Sequence, residues 1–431
     1  MAVVLSSCPP RNASQDAALT YDQLAEGFRY DPASQVQQIL HQLGATGPTI
    51  NQAAYTYNGV GNRESLTDRR GVQSFGYDSL DRLTSASHPL LGTPQAFTYD
   101  PVGNRTTAGN VTNAGNQLTA DSTHSYQYDD NGNLIRKTLL ATGNYTQYTY
   151  DAENRLVKVE DFVAGNPTPA FTSSYRYDGL GRRIEKVANG QTRRYIYDGE
   201  DILLEYDGTN TLQARYTHGP GIDEPIEVTK GSATFFYHQD GLGSVTDLTD
   251  SAGATAKSYA YDAYGNILES PGTIEQPYTY TGREFDSESG LYYYRARSYD
   301  SIIGRFIEKD PIGLAADVNT YSYVGNDPVN WIDPQGLQKN RKPKVCILLR
   351  AAVVASCKAP TSCKEGDSCE VLKLKILLKR FCILSQTAHT RTCYPENPNH
   401  KQRIEDEEKG IKKCERILDT KLDECFDCPP Q

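Results

Sequence analysis

No long apolar run interrupts this 431-residue sequence. Its mean hydropathy of -0.60 excludes an integral membrane bundle. The mostly apolar segment from Val345 to Ser356 is too short to span a bilayer and reads as a buried helix. A conventional address is also missing. Met1 to Cys8 carries a lipobox-like Leu5-Ser6-Ser7-Cys8 but lacks a basic n-region and an adequate h-region. Starting so close to repeat-like sequence, the chain reads as the C-terminal part of a larger repeat protein. Cysteine is scarce before residue 338, where only Cys8 occurs. The other nine crowd into the last 94 residues: Cys346, Cys357, Cys363, Cys369, Cys382, Cys393, Cys414, Cys425 and Cys428. That is the density of a disulfide scaffold or a metal site, and it implies export.

Charge divides the chain at the same place. The net charge is -10, yet residues 338–431 carry 19 basic and 13 acidic residues, hence +6. The remainder carries 25 basic and 41 acidic residues, hence -16. An acidic body and a basic tail imply two different tasks.

What is abundant is tyrosine, 30 against 11 phenylalanines, with 35 glycines. Tyrosine suits strands, since the ring packs on a pleated face while the hydroxyl reaches water or a partner. A phrase of the type Tyr-Asp-x-x-Gly-Asn/Arg-Arg/Leu recurs at Tyr57, Tyr77, Tyr99, Tyr128, Tyr150 and Tyr177, with weaker copies at Tyr197 and Tyr261. A period near 20 residues with insertions marks a repeat architecture. Within one repeat, Tyr148-Thr149-Tyr150-Asp151 alternates as a strand, and Leu156-Val157-Lys158-Val159-Glu160 alternates as the return strand. The Asp-x-x-Gly-Asn between them supplies residues that tolerate positive φ in a tight turn. Each repeat is therefore a β-hairpin, too small to be stable alone, and neighbours are expected to pair edge to edge into a twisted ribbon.

Two Asp-Pro-x-Gly-Leu elements, at Asp310 and Asp333, close this body. By itself Asp-Pro-x-Gly is a good turn tetrapeptide. His238 reads as a histidine beside a turn, supporting Asp240. The tail reads as helical. Ser368 caps a run through Leu372, Leu377 and Phe381, Asn397-Pro398-Asn399 breaks the chain, and a third helix starts near His400. Cysteines on these stripes suit disulfides between packed helices. Cys425-Phe426-Asp427-Cys428 lacks a partner pair, and Cys363 and Cys369 are too widely spaced for a standard zinc ribbon, so no metal or cofactor is expected. His400, in a polar Asn-His-Lys-Gln setting at a helix start, is equally a surface histidine or a catalytic one.

Several phrases together resemble the Rhs/YD-repeat polymorphic toxin family over about residues 20–337. They are the Tyr-Asp repeats, His238-Gln239-Asp240-Gly241-Leu242-Gly243-Ser244, Gly290-Leu291-Tyr292-Tyr293-Tyr294-Arg295-Ala296-Arg297, Gly304-Arg305-Phe306 and both Asp-Pro-x-Gly-Leu elements. Ser301 departs from the family's usual proline after Tyr-Asp. The resemblance implies a mainly β fold, a hairpin ribbon curling into a cocoon-like shell over residues 1–230. It implies a repeat-associated core at 231–337 and a small α-helical, cysteine-rich toxin domain at 338–431. It further implies aspartyl self-cleavage by Asp310 and Asp333, with Arg305 in support and Leu337–Gln338 as the scissile bond. Like charges placed together cannot both ionise cheaply, which gives such a pair one acid and one base. The tail is similar to helical Cys/His toxin tails fused to such cores and predicted to be RNases. That likeness makes His400 the general acid/base, with Asp367 and Lys401 secondary and RNA as substrate. An immunity protein, secretion or shell components, and delivery into a target cell complete the expectation. A membrane-perturbing tail and a non-toxic surface adhesin are the competing readings.

Overall fold

The computed structural model describes residues 17–21, 24–44, 46–107, 109–219, 221–315 and 317–337, with Lys409 and Lys412. The tail helices, its nine cysteines, Asp367, His400, Lys401 and Gln338 lie outside the described residues. These residues form two units. The larger takes in those up to Ile196, Leu204–Arg215 and those from Glu227 to Leu337; the smaller takes in Tyr197–Leu203 and Tyr216–Ile226.

The larger unit is mainly β, as the alternating tyrosines require. Eight strands from Ala17–Tyr21 to Gln95–Ala96 form one sheet in which each strand pairs with its neighbour in sequence. Nine more, from Val111–Thr112 to Gln191–Asp198, continue in the same order. Pro225–Lys230, Ala233–Gln239, Val245–Asp250 and Thr255–Ser258 pair likewise. In the smaller unit, His218 Nε2 lies 2.9 Å from the Ile202 carbonyl oxygen.

One turn is repeated throughout. The Asp78 side chain accepts the amides of Leu80 and Arg82 through Oδ1, while its own amide donates to the Arg82 carbonyl. Asp151 and Asp178 do the same with the residues two and four positions on. The fourth residue of each turn has positive φ, 60° at Asn154 and 81° at Gly181. This is the conformation that asparagine and glycine adopt at least cost.

The tyrosines then stitch hairpin to hairpin. Tyr77, Tyr99, Tyr150 and Tyr177 donate their hydroxyls to the carbonyls of Arg63, Leu83, Leu134 and Leu156, at 2.6 to 2.8 Å. Each acceptor is the first strand residue after the preceding turn. Phenylalanine would fill the same space but lose this bond between hairpins, a physical reason for tyrosine at these places. Tyr177→Phe should therefore cost about 1–3 kcal/mol, read as a lower urea midpoint with unchanged slope. An unchanged midpoint would show that the hydroxyl contributes nothing.

His238 is buried, its Nε2 2.9 Å from Thr249 Oγ1 and its ring edge-on to His41. Through Thr249 it reaches the adjacent strand Val245–Asp250, a structural place for this histidine. No helix among the described residues is long and apolar enough to cross a membrane.

Candidate self-cleavage site

The site grows out of a second, smaller sheet. Glu284–Asp286, Leu291–Tyr294, Arg297–Asp300 and Arg305–Phe306 pair in order as four antiparallel strands. Their aromatic side chains Tyr292, Tyr294, Tyr299 and Phe306 form a cluster with Tyr323 in which all five are fully buried. This sheet and the segment after it anchor on the repeat turns. Tyr293 Oη donates to the Gly181 carbonyl, Tyr321 Oη to that of Gly132, and Asn326 Nδ2 to that of Gly103. Arg63 donates its backbone amide to Asn330 Oδ1. Ser301, the departure from the family pattern, donates its hydroxyl to Asn266 Oδ1 in another repeat turn.

Both Asp-Pro-x-Gly-Leu elements fold as Asp-led turns that keep part of the repeat turn's bonding. Asp310 Oδ1 accepts the Ile312 amide, and Gly313 donates to the Asp310 carbonyl. Asp333 Oδ1 accepts the Leu337 amide at 3.0 Å, and Gly336 donates to the Asp333 carbonyl. The second turn is laid on the hairpin loop between Tyr294 and Arg297. Ala296 donates to the Gln335 carbonyl and Arg295 Nη1 to that of Pro334. Gly336 has φ +67°, and a Cβ there would come within 2.5 Å of the Tyr294 carbonyl oxygen, so only glycine fits this close approach.

The two turns bring their carboxylates to one cation, Arg297. Its Nη2 lies 2.9 Å from Asp310 Oδ2 and 3.3 Å from Asp333 Oδ2. Nη1 donates to the Thr320 carbonyl, Nε donates to that of Gly336, and the guanidinium carbon sits 3.6 Å from the Phe306 ring centre. Arg297, Asp310 and Asp333 are all buried. Burial lowers the Arg297 pKa from its ordinary value, against the pull of Asp310 and Asp333. Burial pushes the Asp310 carboxyl up; Arg297 and the Ile312 amide oppose it, and the charge of Asp333 adds to it. One member of the pair is thus biased toward holding a proton.

Arg305 occupies another place. Its Nη2 donates to the Asn116 carbonyl and its guanidinium lies over Tyr321, 5.1 Å from the ring centre. The cation that both aspartates share is Arg297, not the Arg305 of the sequence reading. The sequence places Arg295 and Arg297 on either side of Ala296, but nothing linear tells which arginine turns toward residues 310 and 333. Among the described residues no group of three or more His, Cys, Asp or Glu is arranged to hold a metal.

Comparison with known proteins gives the chain a lineage. The teneurin YD-shell family model matches residues 90–329, more than half of it. The tRNA nuclease WapA of Bacillus subtilis strain 168 is 35% identical over 280 residues, 60% of this chain and 12% of that protein. Double-stranded DNA deaminase toxin A of Burkholderia cenocepacia strain H111 is 30% identical over 373 residues, 75% of this chain and 25% of that protein. The probable deoxyribonuclease RhsA of Dickeya dadantii strain 3937 is 30% identical over 312 residues, 66% and 21% respectively. The chain therefore spans a quarter or less of these relatives' lengths. Among solved structures, TcdB2-TccC3 superimposes with a TM-score of 0.52 over 73% of this chain and 19% of that one, at 20% identity, a likeness of fold. With its repeat turns, its tyrosine stitching and these matches, the chain belongs to the Rhs/YD-repeat polymorphic toxin family, in its YD-shell portion.

Proposed function

We propose that residues 231–337 form a core that cuts its own chain between Leu337 and Gln338, freeing residues 338–431 as a toxin enclosed by the repeat shell. The observation that carries this reading is the meeting of Asp310 and Asp333 at Arg297, with Asp333 also holding the amide of Leu337. The ionised carboxylate takes a proton from water, whose oxygen attacks the Leu337 carbonyl carbon. The protonated carboxyl then gives its proton to the departing Gln338 nitrogen as the C–N bond breaks. Arg297 positions both carboxylates and, through the Gly336 carbonyl, the residue before the scissile one. Burial and the neighbouring charge of Asp333 bias Asp310 toward holding the proton.

For the freed tail the reading is an RNase delivered into a rival cell and neutralised at home by an immunity protein. Three of its relatives bear names of enzymes acting on tRNA or DNA, and the tail carries +6. A basic surface attracts phosphate backbones, and RNA brings its own 2′-hydroxyl nucleophile, so a positioned acid and base suffice. His400 takes that role, with Asp367 and Lys401 as secondary candidates. The purified full chain should appear as a body ending at Leu337 and a fragment starting at Gln338, by mass and N-terminal sequencing. The fragment should degrade RNA in the presence of EDTA, and His400→Ala should stop this without affecting the junction. An intact Leu337–Gln338 bond in the folded chain overturns the first claim, and full RNase activity in the His400→Ala fragment overturns the second.

A further inference from the structure

The hairpin loop that carries Arg297 is strained where its fold does not require strain. Leu291–Tyr294 and Arg297–Asp300 pair with Tyr294 opposite Arg297, which leaves Arg295 and Ala296 as a two-residue loop. Arg295 takes φ +60°. Loops of this length favour glycine or asparagine at positive φ, where the Cβ of other residues is crowded. Glycine would close the same hairpin without that crowding, so the hairpin itself gives no reason for arginine. A strained residue beside a bond to be cut points to a task for its side chain.

That side chain reaches the segment to be cut. Arg295 Nη1 donates to the Pro334 carbonyl, the Ala296 amide donates to the Gln335 carbonyl at 3.2 Å, and Arg297 Nε donates to the Gly336 carbonyl. Three successive loop residues thus hold three successive carbonyls, ending at the residue before Leu337. From within the same turn, Asp333 Oδ1 accepts the Leu337 amide. The grip is on backbone and depends on side-chain size only at Gly336, where a Cβ would meet the Tyr294 carbonyl oxygen at 2.5 Å and the Arg297 amide nitrogen at 3.2 Å.

We propose that Arg295 is a positioning residue for self-cleavage: by fixing the Pro334 carbonyl it sets the Asp333–Leu337 turn, so that Asp333 stays at Arg297 and the Leu337 carbonyl is presented to the carboxyl pair. This inference rests on the self-cleavage reading. Arg295 moves no proton; its part is orientation. Without its guanidinium the turn is still tied through Ala296 and Arg297, but its Asp333–Pro334 end is free to shift. A misplacement of about 1 Å at a reacting centre costs about a hundredfold in rate.

Position 295 separates orientation from folding, because glycine there relieves the backbone while removing the grip. The experiment uses the full chain, recovered unfolded and uncut in urea and diluted into neutral buffer, with new Gln338 termini counted against time on gels. Stability is read as the urea midpoint in the Asp310→Asn background, where the chain is expected to stay whole. Arg295→Gly should cut about a hundredfold more slowly than wild type, while its midpoint stays at or above that of the Arg295 parent. Arg295→Asn, which also tolerates positive φ, should behave alike and serves if the glycine variant refolds poorly. Arg295→Lys keeps a charged donor and should recover most of the rate. Glycine and asparagine variants that cut at the wild-type rate, a lysine variant as slow as the glycine one, or a midpoint that falls in step with the rate overturn the inference alone. Wild type that stays uncut overturns the self-cleavage reading and this inference with it.

Discussion

Asp310→Asn and Asp333→Asn should each leave the chain in one piece. An amide in either place removes the base or the acid, and the surviving carboxylate then faces Arg297 as a simple ion pair, stably charged and without a proton to exchange. Groups that act as a unit lose most of their effect when one is removed, so each single variant should slow cleavage by at least about a thousandfold, and the double variant little further. Both substitutions are nearly isosteric. The turns should survive, because the asparagine oxygen still accepts the Ile312 or Leu337 amide as Oδ1 does now. Denaturing gels of freshly folded protein, with the junction read by mass, decide the matter. A variant that still yields the Gln338 terminus at the wild-type rate would remove that aspartate from the chemistry.

The second large effect is on stability. Arg183 is buried between two carboxylates of the small sheet, with Nη2 2.8 Å from Glu284 Oε2 and Nη1 bonded to Asp286 Oδ2. Lys186 reaches Asp286 Oδ1 at 2.9 Å. Replacing Arg183 by methionine keeps much of the volume but leaves Glu284 and Asp286 buried without that guanidinium. Breaking a buried pair from one side costs about 3–5 kcal/mol, and here the break falls where the small sheet meets the repeat strand Arg183–Ala188. Urea unfolding in the Asp310→Asn background, where the chain is expected to stay whole, reads the loss directly.

The pH dependence of that loss has a definite sign. Burial raises the Asp286 carboxyl, but Arg183 and Lys186 outweigh it and hold the group below its ordinary value. A depressed carboxylate contributes stability above its unfolded pKa of about 3.9 and loses it as pH falls through the folded value. The gap between wild type and Arg183→Met should therefore be full near neutrality and narrow below about pH 4. A gap that stays constant into acid would assign the loss to packing rather than to the ion pair.

These outcomes depend on features of unequal legibility. The repeat turn could be read from the chain because its bonds are local: Asp178 holds the amides two and four residues on, and Gly181 supplies the positive φ in the same phrase. The strands could be read because tyrosines alternate with polar residues. The order of pairing followed, since each hairpin meets its neighbour in sequence. The hydroxyl acceptors could not be named in advance, as Tyr177 reaches back to Leu156 across a whole hairpin. The sequence by itself determined the hairpins, their turns and the two Asp-Pro-x-Gly-Leu aspartates as a matched pair of turns. Only the tertiary structure decided which cation they meet. Arg297 is 36 residues from Asp333 in the chain, and its direction depends on a hairpin loop in which Arg295 takes φ +60° and the Asp333–Leu337 turn packs down through Gly336. Two arginines separated by one alanine carry no linear mark of that choice. Such assignments arise from contacts between distant segments, where burial and competing charges, rather than neighbouring residue types, determine what each side chain does.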